Sequence, residues 1–389
     1  MSQSKILDTA ALLATAEAEA GLSDYGDDAS FKTRFGKAVD HLNSLGMDET
    51  GQRAGAAACH WLLVSRLQLF GDRKRYPISQ EKIVKPLFAT GQPRSGTTLL
   101  HALMSVDPNA RSLRFWEVMY PSPPPGLSAD DDPRQAKADA DWRDINTKIP
   151  KWLVSHPYND MLGDGLPEDE RTWALDFRMM TPTAWWRVPM GMKIGGLPLD
   201  PRAQYQIHKM MLQQFQYARP KKYWVLKGFH GGRLEAMFDT YPDANMIWTH
   251  RDPVQVIASR IMMAAELAEG MVGHVDLKEQ AAMQLADARA GMAAMMSATM
   301  LHDPRIHHVR YTDFTADPVG TIRRFYERSG VAWTDDAEAA MRHYLKNNRG
   351  DRYGKFSYSA DLIGVDIDEL HREFAPFRER FGIEIEKRH

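Results

Sequence analysis

Two glycines separated by four residues, Gly91 and Gly96, join a short apolar run to a run with helical spacing. The segment reads Gly91-Gln92-Pro93-Arg94-Ser95-Gly96-Thr97-Thr98. Before it, Ile83 to Ala89 has the length and apolar content of a buried strand, with Pro86 a mark against a central position. After it, Leu99 to Val106 places apolar residues at helical intervals. A strand, a glycine loop and a helix in that order make an anion cradle. Backbone N–H groups and the first helical turn converge on one point, and the helix dipole favours negative charge there. Arg94 adds a cation inside the loop, and Ser95, Thr97 and Thr98 add hydroxyl donors.

Further along, strands alternate with helices. Strands are expected at Tyr223–Lys227, Asn245–His250 and Ile306–Tyr311. Helices are expected near 231–240, from Val254, over 276–301 and over 318–329. This alternation implies an α/β fold: three layers, with a central parallel sheet flanked by helices. Two helical parts are added to it. Residues 1–75 read as a helical N-terminal extension. Residues 120–220 read as a helical and irregular insertion, with a Pro-rich surface loop at Pro121–Pro133. No repeat of fixed period is present, so 1–389 is read as a single domain.

Composition closes off other classes. Lys plus Arg total 49 against 51 Asp plus Glu, which argues against a broadly basic nucleic-acid surface. No apolar run reaches the roughly 18–20 residues a membrane span needs. The N-terminal run carries Asp8, Glu17 and Glu19, so it reads as an amphipathic helix rather than a signal peptide, and a cytoplasmic protein is expected. Cys59, the one cysteine, can form neither an internal disulfide nor a zinc cluster and reads as a buried small hydrophobe. No metal site is expected.

The glycine spacing is that of a P-loop, G-x-x-x-x-G-K-[ST], with Thr97 where the lysine belongs. Phosphoryl transfer usually needs that lysine and a magnesium ion bridging two phosphates. A second motif, WTHRDPVQVIASR over 248–260, places Arg251 at a strand end and Ser259 eight positions on in a helix. A planar guanidinium bonds two oxygens of a terminal phosphate at once.

PRSGTTLL resembles the phosphosulfate loop of the sulfotransferases that use 3'-phosphoadenosine-5'-phosphosulfate (PAPS), in particular a bacterial-type group. WTHRDPVQVIASR resembles their 3'-phosphate site. The resemblance implies transfer of a sulfuryl group, without metal, to a hydroxyl or an amine of a small-molecule or lipid acceptor. It implies that Arg94, Ser95, Gly96, Thr97 and Thr98 hold the 5' end of the nucleotide and Arg251 and Ser259 its 3'-phosphate. Arg352 and Lys355 would close a basic loop over it. Lys227, 24 positions before Arg251, matches the family's strand-end lysine. His230 stands one residue beyond the family's catalytic histidine position, which Phe229 occupies here. Arg94 and Lys227 would stabilise charge, and Glu117 or His230 would take the acceptor's proton, with Glu117 preferred.

Glu168, Asp169 and Glu170 read as a solvated helix start that could also meet a cationic acceptor, and Asp313 as a turn anchor. Trp185, Trp186 and the Met-rich stretch 262–300 are candidates for an apolar acceptor wall. Two other readings stay open: a degenerate P-loop kinase, and a nucleotide-binding protein without turnover. A homo-oligomer also stays open.

Overall fold

The computed structural model describes residues 6–128, 131–158, 160–177, 200–273, 275–354 and 356–386. Three helices open the chain: α1 (Thr9–Ala20), α2 (Phe31–Ser44) and α3 (Glu49–Arg75). Strand β1 (Leu87–Gly91) and helix α4 (Thr97–Ser105) follow, then β2 (Ala110–Arg111), α5 (Phe115–Met119), α6 (Pro133–Lys148) and α7 (Trp152–Ser155). Next come α8 (Pro201–Gln216), β3 (Tyr223–Lys227), α9 (Leu234–Thr240), β4 (Asn245–His250), α10 (Pro253–Val272) and α11 (Leu277–Met296). The chain continues through β5 (Ile306–Arg310), α12 (Tyr311–Ala316), α13 (Pro318–Arg328), α14 (Asp335–Asn347), α15 (Ile367–Glu373) and α16 (Ala375–Phe381).

The five strands form one parallel sheet in the order β2-β3-β1-β4-β5. β1 lies at the centre, with Leu87 opposite both Val225 and Asn245. After β1 the chain builds one side of the sheet, then crosses to build the other. Such a switch point opens a crevice outside the carboxyl ends of the strands, where ligands of this fold class bind. The carboxyl ends of β1, β3 and β4 deliver Gly91, Lys227 and His250-Arg251 to that crevice.

Alternation along the strands feeds two cores. Leu87, Ala89, Val225 and Ile247 face α4, α13 and α14 through Leu100, Leu103, Ile322, Phe325 and Met341. Phe88, Leu226, Met246 and Trp248 face the opposite core, built from the N-terminal helices, α8, α10, α11 and the C-terminal helices. The strand expected at 83–89 starts later, at Leu87. Pro86 has no N–H for a ladder, so it precedes the strand and only its carbonyl takes part, accepting from Asn245 N at 3.1 Å.

The N-terminal helices share a core with the sheet and also fix a distant segment. Arg34 of α2 and Arg66 of α3 both donate to the Asp176 carboxylate, at 2.6 and 3.0 Å. Asp176 ends a 3₁₀ segment, Asp169–Asp176, that runs beneath the crevice. The acidic stretch expected to be a solvated helix start is therefore buried, with Asp169 at 0 % exposure. Cys59 is a buried free thiol, pushed up to about 12 by burial. No helix among the described residues is long and apolar enough to cross a membrane. Trp185, Trp186 and Lys355 lie outside the described residues.

Candidate active site

Gly91 ends β1 with no room for a side chain, because a Cβ there would overlap Thr249 Oγ1 and Ser95 Oγ. Ser95 Oγ donates to the Gln92 carbonyl at 2.6 Å and bonds Thr249 Oγ1 at 2.8 Å, which ties the loop to β4. Gly96 (φ 88°) turns the chain into α4 and offers no side-chain cap, so the first N–H groups of that helix face the crevice. Gln92 Oε1 is buried with no hydrogen-bond partner among the described residues.

Arg94 holds a left-handed backbone (φ 73°), a strained state for a residue with a Cβ. Its contacts over-determine it. Nε donates to Ser259 Oγ at 2.9 Å and Nη1 to the Ser155 carbonyl at 2.7 Å. Its own carbonyl accepts from Arg251 Nη1 at 3.0 Å. The Phe356 ring lies 4.9 Å from the guanidinium. Burial, and the neighbouring Arg251, hold the Arg94 guanidinium below its usual range. Among the described residues it has no carboxylate within ion-pair distance. The second motif thus meets the first, with Ser259 orienting Arg94 rather than contacting Arg251.

Arg251 is already clamped. Nε and Nη2 donate to the two oxygens of Glu386, each at 2.8 Å, and Nη2 reaches Tyr358 OH at 3.3 Å. The Tyr311 ring lies 4.3 Å from it. The Glu386 N–H in turn donates to Asp252 at 2.9 Å. The C-terminal segment does close over the loop, but through Phe356, Tyr358 and Glu386. Arg352 points elsewhere: it donates to Asp160 at 2.8 Å and lies between Tyr158 and Tyr353. Its side chain is thus tied to Asp160 rather than to the glycine loop. Asp313 pairs with Arg310 at the turn after β5.

Lys227 Nζ donates to Glu168 Oε1 at 2.6 Å. Glu168 also lies 3.5 Å from Arg171 Nε. Burial pushes the Glu168 carboxyl up, but Lys227 and Arg171 outweigh it and hold it well below the usual range. The Glu168 side chain keeps 27 % exposure, against 7 % for Lys227. His156, after α7, stacks on Trp152 at 3.9 Å, and burial and then Arg94 push its imidazole down to about 3. His101, inside α4, is held neutral the same way, by burial and then Lys227, at about 3.

Both expected proton acceptors are committed elsewhere. His230 is fully buried, its Nδ1 bonded to Tyr205 OH at 2.7 Å and its Nε2 to Asp169 at 3.2 Å. His208 lies 3.8 Å from the same carboxylate. Burial pushes the Asp169 carboxyl up, yet the two histidines hold it well below the usual range. Glu117, 2 % exposed, accepts from Arg111 Nη2 at 2.7 Å and from the Arg114 N–H at 3.2 Å, capping α5. His230→Ala is expected to lower stability by about 3 kcal/mol, since it leaves the buried Asp169 carboxylate with His208 alone of its two histidines and takes the partner from the buried Tyr205 hydroxyl. Denaturant unfolding checks this, and the folded fraction should keep its turnover within about tenfold.

The geometry gathers an anion cradle, the cations Arg94, Lys227 and Arg251, and the Glu168 carboxylate at the carboxyl edge of the sheet. Comparison then decides the family. The model of the sulfotransferase family matches residues 86–335. The chain belongs to the sulfotransferase family. Stf3 of Mycobacterium bovis and Mycobacterium tuberculosis, an omega-hydroxy-beta-dihydromenaquinone-9 sulfotransferase, is 26% identical over 301 residues, 73% of this chain and 72% of Stf3. The crystal structure of sulfotransferase STF9 from Mycobacterium avium superimposes with a TM-score of 0.82 at 26% identity, covering 100% of both chains. That of sulfotransferase STF1 from Mycobacterium tuberculosis gives 0.75 at 26% identity over 96% of this chain and 100% of that one. Membership of the sulfotransferase family sets the kinase reading aside. Among the described residues no group of three metal-ligating side chains comes together.

Proposed function

We propose that this sulfotransferase moves a sulfuryl group from PAPS to a hydroxyl of an uncharged acceptor. The observation that carries the reading is the Lys227–Glu168 pair set at the end of β3, next to the loop that ends β1. One member stabilises charge and the other accepts a proton. The uncapped start of α4, with Thr97 and Thr98, suits the 5'-phosphosulfate, and the fork of Arg251 suits the 3'-phosphate. Arg251 already holds a carboxylate in its fork, the geometry a terminal phosphate would take.

In the step, the acceptor oxygen forms a bond to sulfur as the bond from sulfur to the bridging phosphate oxygen breaks. The electron pair stays on the phosphate, and Arg94 and Lys227 stabilise the charge that gathers there. The hydroxyl proton passes to the Glu168 carboxylate. Glu168 replaces Glu117 and His230 in this role because, of the three, it pairs a partly exposed carboxylate with Lys227. The named acceptor of Stf3 is itself an apolar molecule with a terminal hydroxyl, which favours an alcohol over an amine here.

Two measurements test the reading. Calorimetry should show binding of 3'-phosphoadenosine-5'-phosphate without added metal, and ³⁵S-labelled PAPS should transfer label to an alcohol. Binding without any transfer would favour a nucleotide-binding protein that lacks turnover, and no binding would sink the donor assignment.

A further inference from the structure

A cavity of about 310 Å³ lies between α3, α5, α6 and α8. Its walls are apolar: Ala58, Trp61 and Leu62 from α3, Phe115 and Met119 from α5, and Ile145 from α6. The Trp61 indole N–H is spent on the Met119 carbonyl at 2.7 Å, so the ring presents only its carbon face. Polar groups occur at two places. At one end Arg171 lines the cavity, 14 % exposed and 3.5 Å from the Glu168 carboxylate that pairs with Lys227. Elsewhere on the lining, where Ala57 and Lys137 are exposed, Tyr120 OH accepts from Lys137 Nζ at 2.5 Å and bonds Asp141.

We propose that this cavity is the acceptor site and that it selects a primary alcohol at the end of an uncharged apolar chain. The inference rests on the donor reading above. Arg171 links the cavity to Glu168, so the reacting hydroxyl must sit at the inner, Arg171 end. The exposed rim lies at Lys137, so the rest of the acceptor runs outward past it. A hydroxyl on the middle of a rigid body cannot reach that inner end. A charged acceptor would have to break an existing pair, because Arg171 is held by Glu168 and Lys137 and Asp141 share Tyr120. The apolar remainder of the wall offers nothing against its desolvation. The wall owes more to α3 of the N-terminal extension than the sequence suggested for residues 120–220.

The test uses the full chain with ³⁵S-labelled PAPS and unbranched primary alcohols from butanol to dodecanol. Each added CH₂ should raise kcat/KM about three- to fourfold until the cavity is full, since each buried CH₂ contributes about 0.8 kcal/mol. Ala58→Trp should raise KM for decanol at least tenfold with unchanged affinity for 3'-phosphoadenosine-5'-phosphate. Ala57→Phe, at the exposed rim, should raise it in the same direction and does not burden the core. A flat dependence on chain length would overturn the proposal, as would choline turning over as well as decanol while the nucleotide still binds. Failure of nucleotide binding in the unaltered chain would instead strike the donor reading, and this site with it.

Discussion

Glu168→Gln is expected to lower kcat about 1,000-fold while leaving the affinity for 3'-phosphoadenosine-5'-phosphate within twofold. The amide keeps the size of the carboxylate and can still accept from Lys227, so the fold and the lysine stay in place. It cannot take a proton. General-base catalysis contributes roughly 10²–10⁴ to rate, and the middle of that range sets the expected loss. Glu117→Gln is the control, because its carboxylate serves Arg111 and the start of α5. A Glu168→Gln enzyme that kept more than a tenth of kcat would remove this residue from the chemistry.

The pH dependence carries the same assignment. In the free enzyme burial raises the Glu168 carboxyl, while Lys227 and Arg171 lower it further than burial raises it. The depressed group stays ionised as pH falls through the mildly acid range. Hence kcat/KM, which reports the free enzyme, should hold level there. Once sulfuryl oxygens draw the Lys227 ammonium away, the burial effect gains weight and the carboxyl rises. The acid limb of kcat should therefore lie at higher pH than that of kcat/KM. The limb should vanish in Glu168→Gln.

How much of this was readable in the chain depends on how local each determinant is. The strands at 223–227 and 245–250 fall where expected, because short β-rich runs bounded by Pro, Gly and Asp carry their own limits. The edge strand Ala110–Arg111 was invisible: two residues hold no period. The glycine loop was legible because its constraint is backbone geometry within eight residues. The acidic run at 168–170 was misread because its partners lie elsewhere. Lys227 is 59 residues away, and the arginines that pin Asp176 come from α2 and α3. Glu117 illustrates a subtler failure. Its burial beside Phe115 and Trp116 was foreseeable, but burial alone cannot tell a catalytic carboxyl from one claimed by Arg111.

Glu386 is the sharpest case, since nothing near it in the chain points to an arginine 135 residues earlier. Its position leads to a pair of opposite expectations. Arg251→Ala should weaken binding of 3'-phosphoadenosine-5'-phosphate at least 100-fold. Truncating one partner of a buried, hydrogen-bonded charge pair costs about 2–5 kcal/mol, and each 1.4 kcal/mol is a factor of ten. Glu386→Gln should tighten it about tenfold. The carboxylate spans the guanidinium with two 2.8 Å bonds, the same fork that a terminal phosphate would use. A phosphate must displace it, so the free energy of that ion pair is subtracted from nucleotide affinity. The amide gives up the charge and one of the two acceptors, and the subtraction shrinks. Titration calorimetry at fixed ionic strength reads both variants. If Glu386→Gln weakened binding, the carboxylate would be part of the wall that orients Arg251 rather than a rival of the phosphate. Arg251 would then have to reach the nucleotide with Glu386 still attached, offering one N–H instead of a fork. Its expected contribution would fall accordingly, so the two variants together decide which face of the guanidinium the nucleotide meets.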